Sequence, residues 1–99
     1  MLPKRLKIIG KYFKIVTTQE GDYGECDVDT CIIKLRDNQN SQMKKDTLLH
    51  EAIHAIDDAM GLNLTEKQVR GLGTAIYALF HDNKHFAKWL MEKSYDGKN

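Results

Sequence analysis

No stretch of this 99-residue chain stays apolar for the length a bilayer requires, which argues against a membrane-spanning role. Cysteine is scarce as well: Cys26 and Cys31 are the only two, too few for a disulfide scaffold. A dominant charge of one sign is also missing. The formal net charge is +1, so no global field draws the chain towards nucleic acid. The basic start, Met1-Leu2-Pro3-Lys4-Arg5-Leu6-Lys7, lacks a following uninterrupted apolar stretch and a small-residue cleavage site. It does not read as a secretion signal, and a cytoplasmic location is the default expectation. Repeats, linkers and low-complexity segments are absent, and the length supports one domain, 1–99, with a modest core.

Charge is unevenly spread. Lys4, Arg5, Lys7, Lys11 and Lys14 crowd the start, whereas Asp22, Glu25, Asp27 and Asp29 follow. A basic strand facing an acidic hairpin is the expected meaning, ahead of a nucleic-acid patch. Two short strands, Leu6 to Ile9 and Tyr12 to Thr17, are expected around a Gly10-Lys11 turn. Gly24 to Asp27 and Thr30 to Leu35 predict a second hairpin with Val28-Asp29 at its tip. The turn formers Asp37 to Ser41 then break the pattern.

Helical periodicity takes over with Leu48, Leu49, Ala52, Ile53, Ile56 and Met60 on one broad arc. Ser41 or Asp46 is the expected cap. Lys45 would fall on the apolar arc, so the regular helix is predicted to start nearer 46 than 41. Gly61 is a favourable left-handed stop. Thr65-Glu66-Lys67-Gln68 matches a capping box for a second helix to about Asp82, with a core stripe of Val69, Leu72, Ile76, Leu79 and Phe80. Phe86, Trp89 and Leu90 predict a last short helix packing back on the domain, and the polar tail from Ser94 is expected to be loose. Strands first and helices afterwards predict an α+β fold: an N-terminal antiparallel sheet of three or four strands packed on the long helix, a second helix and a short C-terminal helix.

The long helix carries His50-Glu51-Ala52-Ile53-His54, the HExxH pattern. Imidazoles four residues apart lie one turn apart on one face, close enough to hold one metal ion, while Glu51 lies about 100° round the helix without having to ligate. Zinc hydrolases need this layout: two neutral nitrogen ligands and a separate carboxylate to accept a proton from activated water. A catalytic zinc usually takes a third protein ligand. Glu66 is the first choice, a carboxylate at the start of the helix that returns after a short connection. Asp57, three residues after His54, suits an acceptor from an imidazole N–H. His81 and His85 are expected at the surface. The reaction that follows is peptide-bond hydrolysis with Glu51 as general base. Tyr77, Tyr23 and Tyr12 are candidates to stabilise the oxyanion, and Tyr23, Gly24 and Glu25 could line an edge strand that pairs with an extended substrate, Gly24 permitting close approach.

These segments, Tyr23-Gly24-Glu25-Cys26-Asp27, then Thr47 to Asp57 around HExxH, then Gly61 to Glu66 with Asp82-Asn83, resemble small phage-encoded zinc metallopeptidases. Those are similar in turn to the ImmA/IrrE-type, minimal gluzincin group. The resemblance covers roughly residues 6 to 90, with HExxH its specific motif. It implies a three- or four-stranded sheet packed on the metal helix, a zinc cofactor, a peptide or protein substrate, and a glutamate ligand on the following helix. One departure stands out: the group's Glu-Ala-Asn-x-Phe-Ala motif falls by apolar register on Gln68 to Gly73, placing Gln68 where the ligand belongs. Either Glu66 substitutes from two residues earlier or the site is short of a ligand. No DNA-binding extension is expected from these residues, so regulation of a bound repressor by cleavage cannot simply be carried over from the group.

Two rival readings remain. With a two-residue turn, Cys26 and Cys31 would sit directly opposite each other and, with His50 and His54, imitate a Cys2His2 finger holding a structural zinc. A degenerate adaptor that binds peptides without cutting them is the other. Oligomeric state is not specified by the sequence.

Overall fold

A computed structural model describes residues 1–93; the tail from Ser94 lies outside the described residues. The described residues form four strands and three helices, the α+β architecture expected: β1 (Arg5–Ile8), β2 (Lys11–Thr18), β3 (Gly24–Asp27), β4 (Ile32–Arg36), α1 (Ser41–Met60), α2 (Glu66–Asp82) and α3 (Lys84–Met91). No helix among the described residues is long and apolar enough to cross a membrane. The strands lie in the order β1-β2-β4-β3. Two hairpins are antiparallel, but β2 and β4 run parallel at the centre, so the sheet is mixed, not purely antiparallel. The basic strands therefore meet the second hairpin through β4, and the acidic strand β3 is carried to the far edge.

Period-two alternation builds the core. Ile8, Phe13, Ile15, Ile33 and Leu35 all point to one face, where Leu48, Ala52, Ala55 and Ile56 of α1 cover them. The first turn falls at Ile9-Gly10, one residue earlier than expected; both residues have positive φ (44° and 83°), as a two-residue type I′ turn requires. The second hairpin has four loop residues, because Asp27 pairs with Ile32 and Cys31 takes a left-handed φ of 57°. Asp27 organises that loop by accepting from the backbone N–H groups of Asp29 (2.9 Å) and Thr30 (3.1 Å). These bonds, chiefly the one from Thr30, hold its carboxyl below the usual range. Cys26 consequently faces Ile33 and not Cys31, which removes the opposed cysteine pair.

The long helix starts at Ser41, with Asn40 as cap: its side chain accepts from the Met43 N–H at 2.9 Å. The expected later start fails because the first turn runs past the core into solvent, where Lys45 is exposed and the apolar register has nothing to enforce. Gly61 ends the helix in the left-handed region as expected, its N–H donating to the Asp57 carbonyl. From the expected stripe of α2, Val69 is fully buried, but Leu72 and Leu79 remain 42% and 48% exposed. Helix α3 packs back on α2, Phe86 stacking on Phe80 at 6.2 Å; among the described residues it touches no other element, and Trp89 stays 61% exposed.

Candidate metal centre

Helix α1 is wedged between the sheet and α2. Its sheet side carries Leu48, Ala52 and Ala55; its α2 side carries Ile53, packed near Gly73, where an added Cβ would stand 3.6 Å from Ile53 Cδ1. His50 and His54 fall between these surfaces, their rings 4.9 Å apart, edge to face. The chain leaves α1 through Gly61 and Asn63, whose φ is 59°, and re-enters a helix at Thr65. The capping box forms in full: the Thr65 hydroxyl accepts from the Gln68 N–H (3.1 Å), and the Gln68 side-chain oxygen accepts from the Thr65 N–H (2.9 Å). Gln68 is thereby occupied as a capping partner. Glu66, the first residue of α2, is aimed back at α1.

There its carboxylate reaches both imidazoles. Glu66 Oε1 lies 2.6 Å from His50 Nε2, and Oε2 lies 3.0 Å from His54 Nε2. One ligand atom from each residue lies within 4.8 Å of the other two, a group that could hold a metal ion. Two imidazole nitrogens and a carboxylate oxygen are ligand types that divalent metal ions accept. Partial desolvation opposes the Glu66 charge, yet the pull of His50 and His54, a hydrogen bond from His50 and the charge of Arg70 outweigh it and lower its pKa.

Glu51 stands beside this group without joining it. It is only 7% exposed, and burial pushes its pKa up; the neighbouring imidazoles pull the other way, and Glu66 and Glu25 push with burial. Its neighbour is Gly24 on β3. A Cβ there would overlap the Thr47 methyl and stand 3.0 Å from both Cγ and Oε2 of Glu51. Only glycine lets the edge strand come this close. The approach is fixed by Gln39, a buried residue whose side-chain amide donates to the carbonyls of Tyr23 (3.0 Å) and Arg36 (2.9 Å) and accepts from the Thr47 hydroxyl (2.7 Å).

A groove of about 690 Å³ opens in front of the site between α1, α2 and β3. Tyr23, Gly24, His50, Glu51 and Glu66 line it, together with Tyr77, whose hydroxyl donates to Gln42 at 3.2 Å. Tyr12 is elsewhere, on β2 under Arg5. Glu25 is exposed on β3 and does not line the groove. Asp57 does not serve an imidazole: its side chain accepts from the Leu64 N–H at 3.1 Å and shapes the α1–α2 connection. Cys26 and Cys31 are free thiols packed against the core, outside the His50–His54–Glu66 group. Burial, reinforced by the charges of Glu51, Asp27 and Asp58, pushes Cys26 up to about 11. His81 and His85 are exposed, as expected.

Three participants were not singled out by sequence reasoning: Gln39, Thr47 and Arg70. Thr47 and Arg70 line the groove, and Gln39 braces its floor. Only the helical register of Thr47 (three before His50) and Arg70 (four after Glu66) carries a signal for them; Gln39 sits in a polar turn that gives no sign of burial. Compared with known proteins, the chain matches no family model, no curated protein and no solved structure.

Proposed function

We propose that this protein is a zinc-dependent metallopeptidase. The observation that carries the reading is the convergence of His50, His54 and Glu66 beside a buried Glu51 at the floor of an open groove. When bound, zinc polarises a carbonyl oxygen and brings the pKa of an adjacent water to roughly 7. Glu51 is positioned by burial and by a raised pKa to take the proton from the attacking water and hand it to the leaving amine as the C–N bond breaks. Among the described residues strand β3 pairs only with β4, which leaves its other edge to align an extended peptide, with Gly24 at the point nearest Glu51. Tyr77 and Tyr23 on the groove walls are the phenols that line the cavity.

The test combines metal content with turnover. The wild type should take up one zinc per chain and cleave a degenerate quenched-peptide library, losing activity to a chelator and regaining it with zinc. Glu51→Gln should keep the zinc and lose about 10²–10⁴ in turnover. A wild type that takes up no zinc, or a Glu51→Gln variant that cleaves as fast as wild type, overturns the assignment.

A further inference from the structure

Among the described residues no helix other than α1 touches the sheet, so its face turned away from α1 is uncovered by them. Its outward positions on β1 and β2 are Arg5, Lys7, Tyr12 and Lys14, all exposed, and β4 adds Lys34. Register sets Arg5 beside Lys14 and Lys7 beside Tyr12. No carboxylate precedes Glu20 in the chain; of the sheet's own acids, Glu25 on the edge strand stands opposite Lys34 and Asp27 feels its charge, so Lys34 is matched while the cations of β1 and β2 are not. Among the described residues, Arg5, Lys7 and Lys14 pair with no carboxylate. Like charges placed directly opposite on adjacent strands repel, a cost at Arg5 and Lys14 that a bound anion would relieve.

The stack on Tyr12 points to which anion. The Arg5 guanidinium lies 4.2 Å from the ring centroid and the Lys7 ammonium 5.4 Å from it. A guanidinium plane on an aromatic ring is a platform on which a nucleobase can stack. Side chains on one face of a strand recur at about 6.6–6.8 Å, a repeat suited to successive phosphates of an extended strand. An open, backed sheet cannot enter the groove of a duplex as a free helix or ribbon does. We propose that this face binds single-stranded nucleic acid without base specificity: Arg5, Lys7 and Lys14 meet phosphates, and the Arg5–Tyr12 stack receives a base. The face lies across the sheet from α1, so its occupation leaves the groove open and does not depend on the peptidase reading.

Fluorescence anisotropy of the full chain with a labelled oligothymidine of about 20 nucleotides tests this. Three phosphate contacts predict a salt slope of about −2.1, an affinity loss of about 20-fold between roughly 50 and 200 mM salt. Lys7→Glu with Lys14→Glu should weaken binding by at least ~10-fold while relieving the repulsion at Arg5, so folding is not at risk. Tyr12→Leu should cost ~10-fold through the lost stack. Lys84→Glu with Lys88→Glu, the same charge change on α3, should leave affinity within ~2-fold of wild type. The proposal is overturned by no binding at the lower salt, by equal loss from the α3 reversal, or by a duplex or phosphatidylserine vesicles binding as tightly as the single strand.

Discussion

Replacing Gly24 by alanine probes the contact that seats β3 on α1. The backbone of Gly24 is not among the positive-φ positions, so alanine meets no dihedral penalty there, and any cost is one of space. The added methyl would overlap the Thr47 Cγ2 and press on Glu51 at 3.0 Å. Relief by moving the strand is blocked, because the Tyr23 carbonyl accepts from both the Gln39 amide and the Arg36 N–H. Overpacking of this kind costs about 1–3 kcal/mol. Reduced freedom of the unfolded chain returns about 0.4–1 kcal/mol, leaving a net destabilisation of about 1–2 kcal/mol. Thr47→Ser deletes the offending methyl and keeps the hydroxyl that donates to Gln39. Combined with Gly24→Ala it should recover most of the loss, a coupling of about 1–2 kcal/mol across the double-mutant cycle. Urea unfolding of the four proteins measures it, with unchanged m-values. The reasoning is refuted if Gly24→Ala is neutral, or if the two substitutions simply add.

Other outcomes follow from the same coordinates. Ile9 is a β-branched, exposed residue at a φ of 44°, so Ile9→Asn should raise stability by about 1 kcal/mol and the midpoint by about 4–8 °C in thermal unfolding. An unchanged midpoint contradicts the turn assignment. With its pKa pushed up to about 11, the Cys26 thiol should alkylate ever faster from pH 8 to 10 without levelling, followed site by site by mass spectrometry. The sign for stability is fixed by the same shift: the contribution is complete below the ordinary thiol pKa of about 9 and is lost as pH rises towards 11. Zinc at about a hundred times its dissociation constant should add about 2.7 kcal/mol to unfolding, and Glu66→Ala should abolish most of that gain in a thermal-shift titration.

The site was legible wherever its information is local. Spacing alone set His50, Glu51 and His54 on one helix, and the Thr65–Gln68 capping pattern fixed where α2 begins and so where Glu66 points. The apparent misplacement of Gln68 against the resembling motif resolves for the same reason, since its side chain is spent on the cap. Non-local facts were not legible. Nothing in the composition of β4 says that it inserts between β2 and β3, and that insertion gave the sheet its parallel pair and kept the basic strands from the acidic edge. The four-residue β3–β4 loop depends on Cys31 adopting a left-handed backbone, which residue preference does not anticipate. Gln39 reads as a turn residue, and only the folded chain shows it buried and fully engaged. The apolar pattern of α3 marks a helix but not its neighbours, and among the described residues its neighbour is α2 alone.

Among the described residues α2 touches α1 and α3 and no strand. The helical pair therefore hangs on the rest of the molecule by one seam, and Glu66 spans that seam from its far side. An ion drawn into the clasp would act as a rivet between two halves of the fold. Amides of α2 would then exchange with solvent far more slowly when the rivet is in place, while those of β2 and β4 would hardly respond.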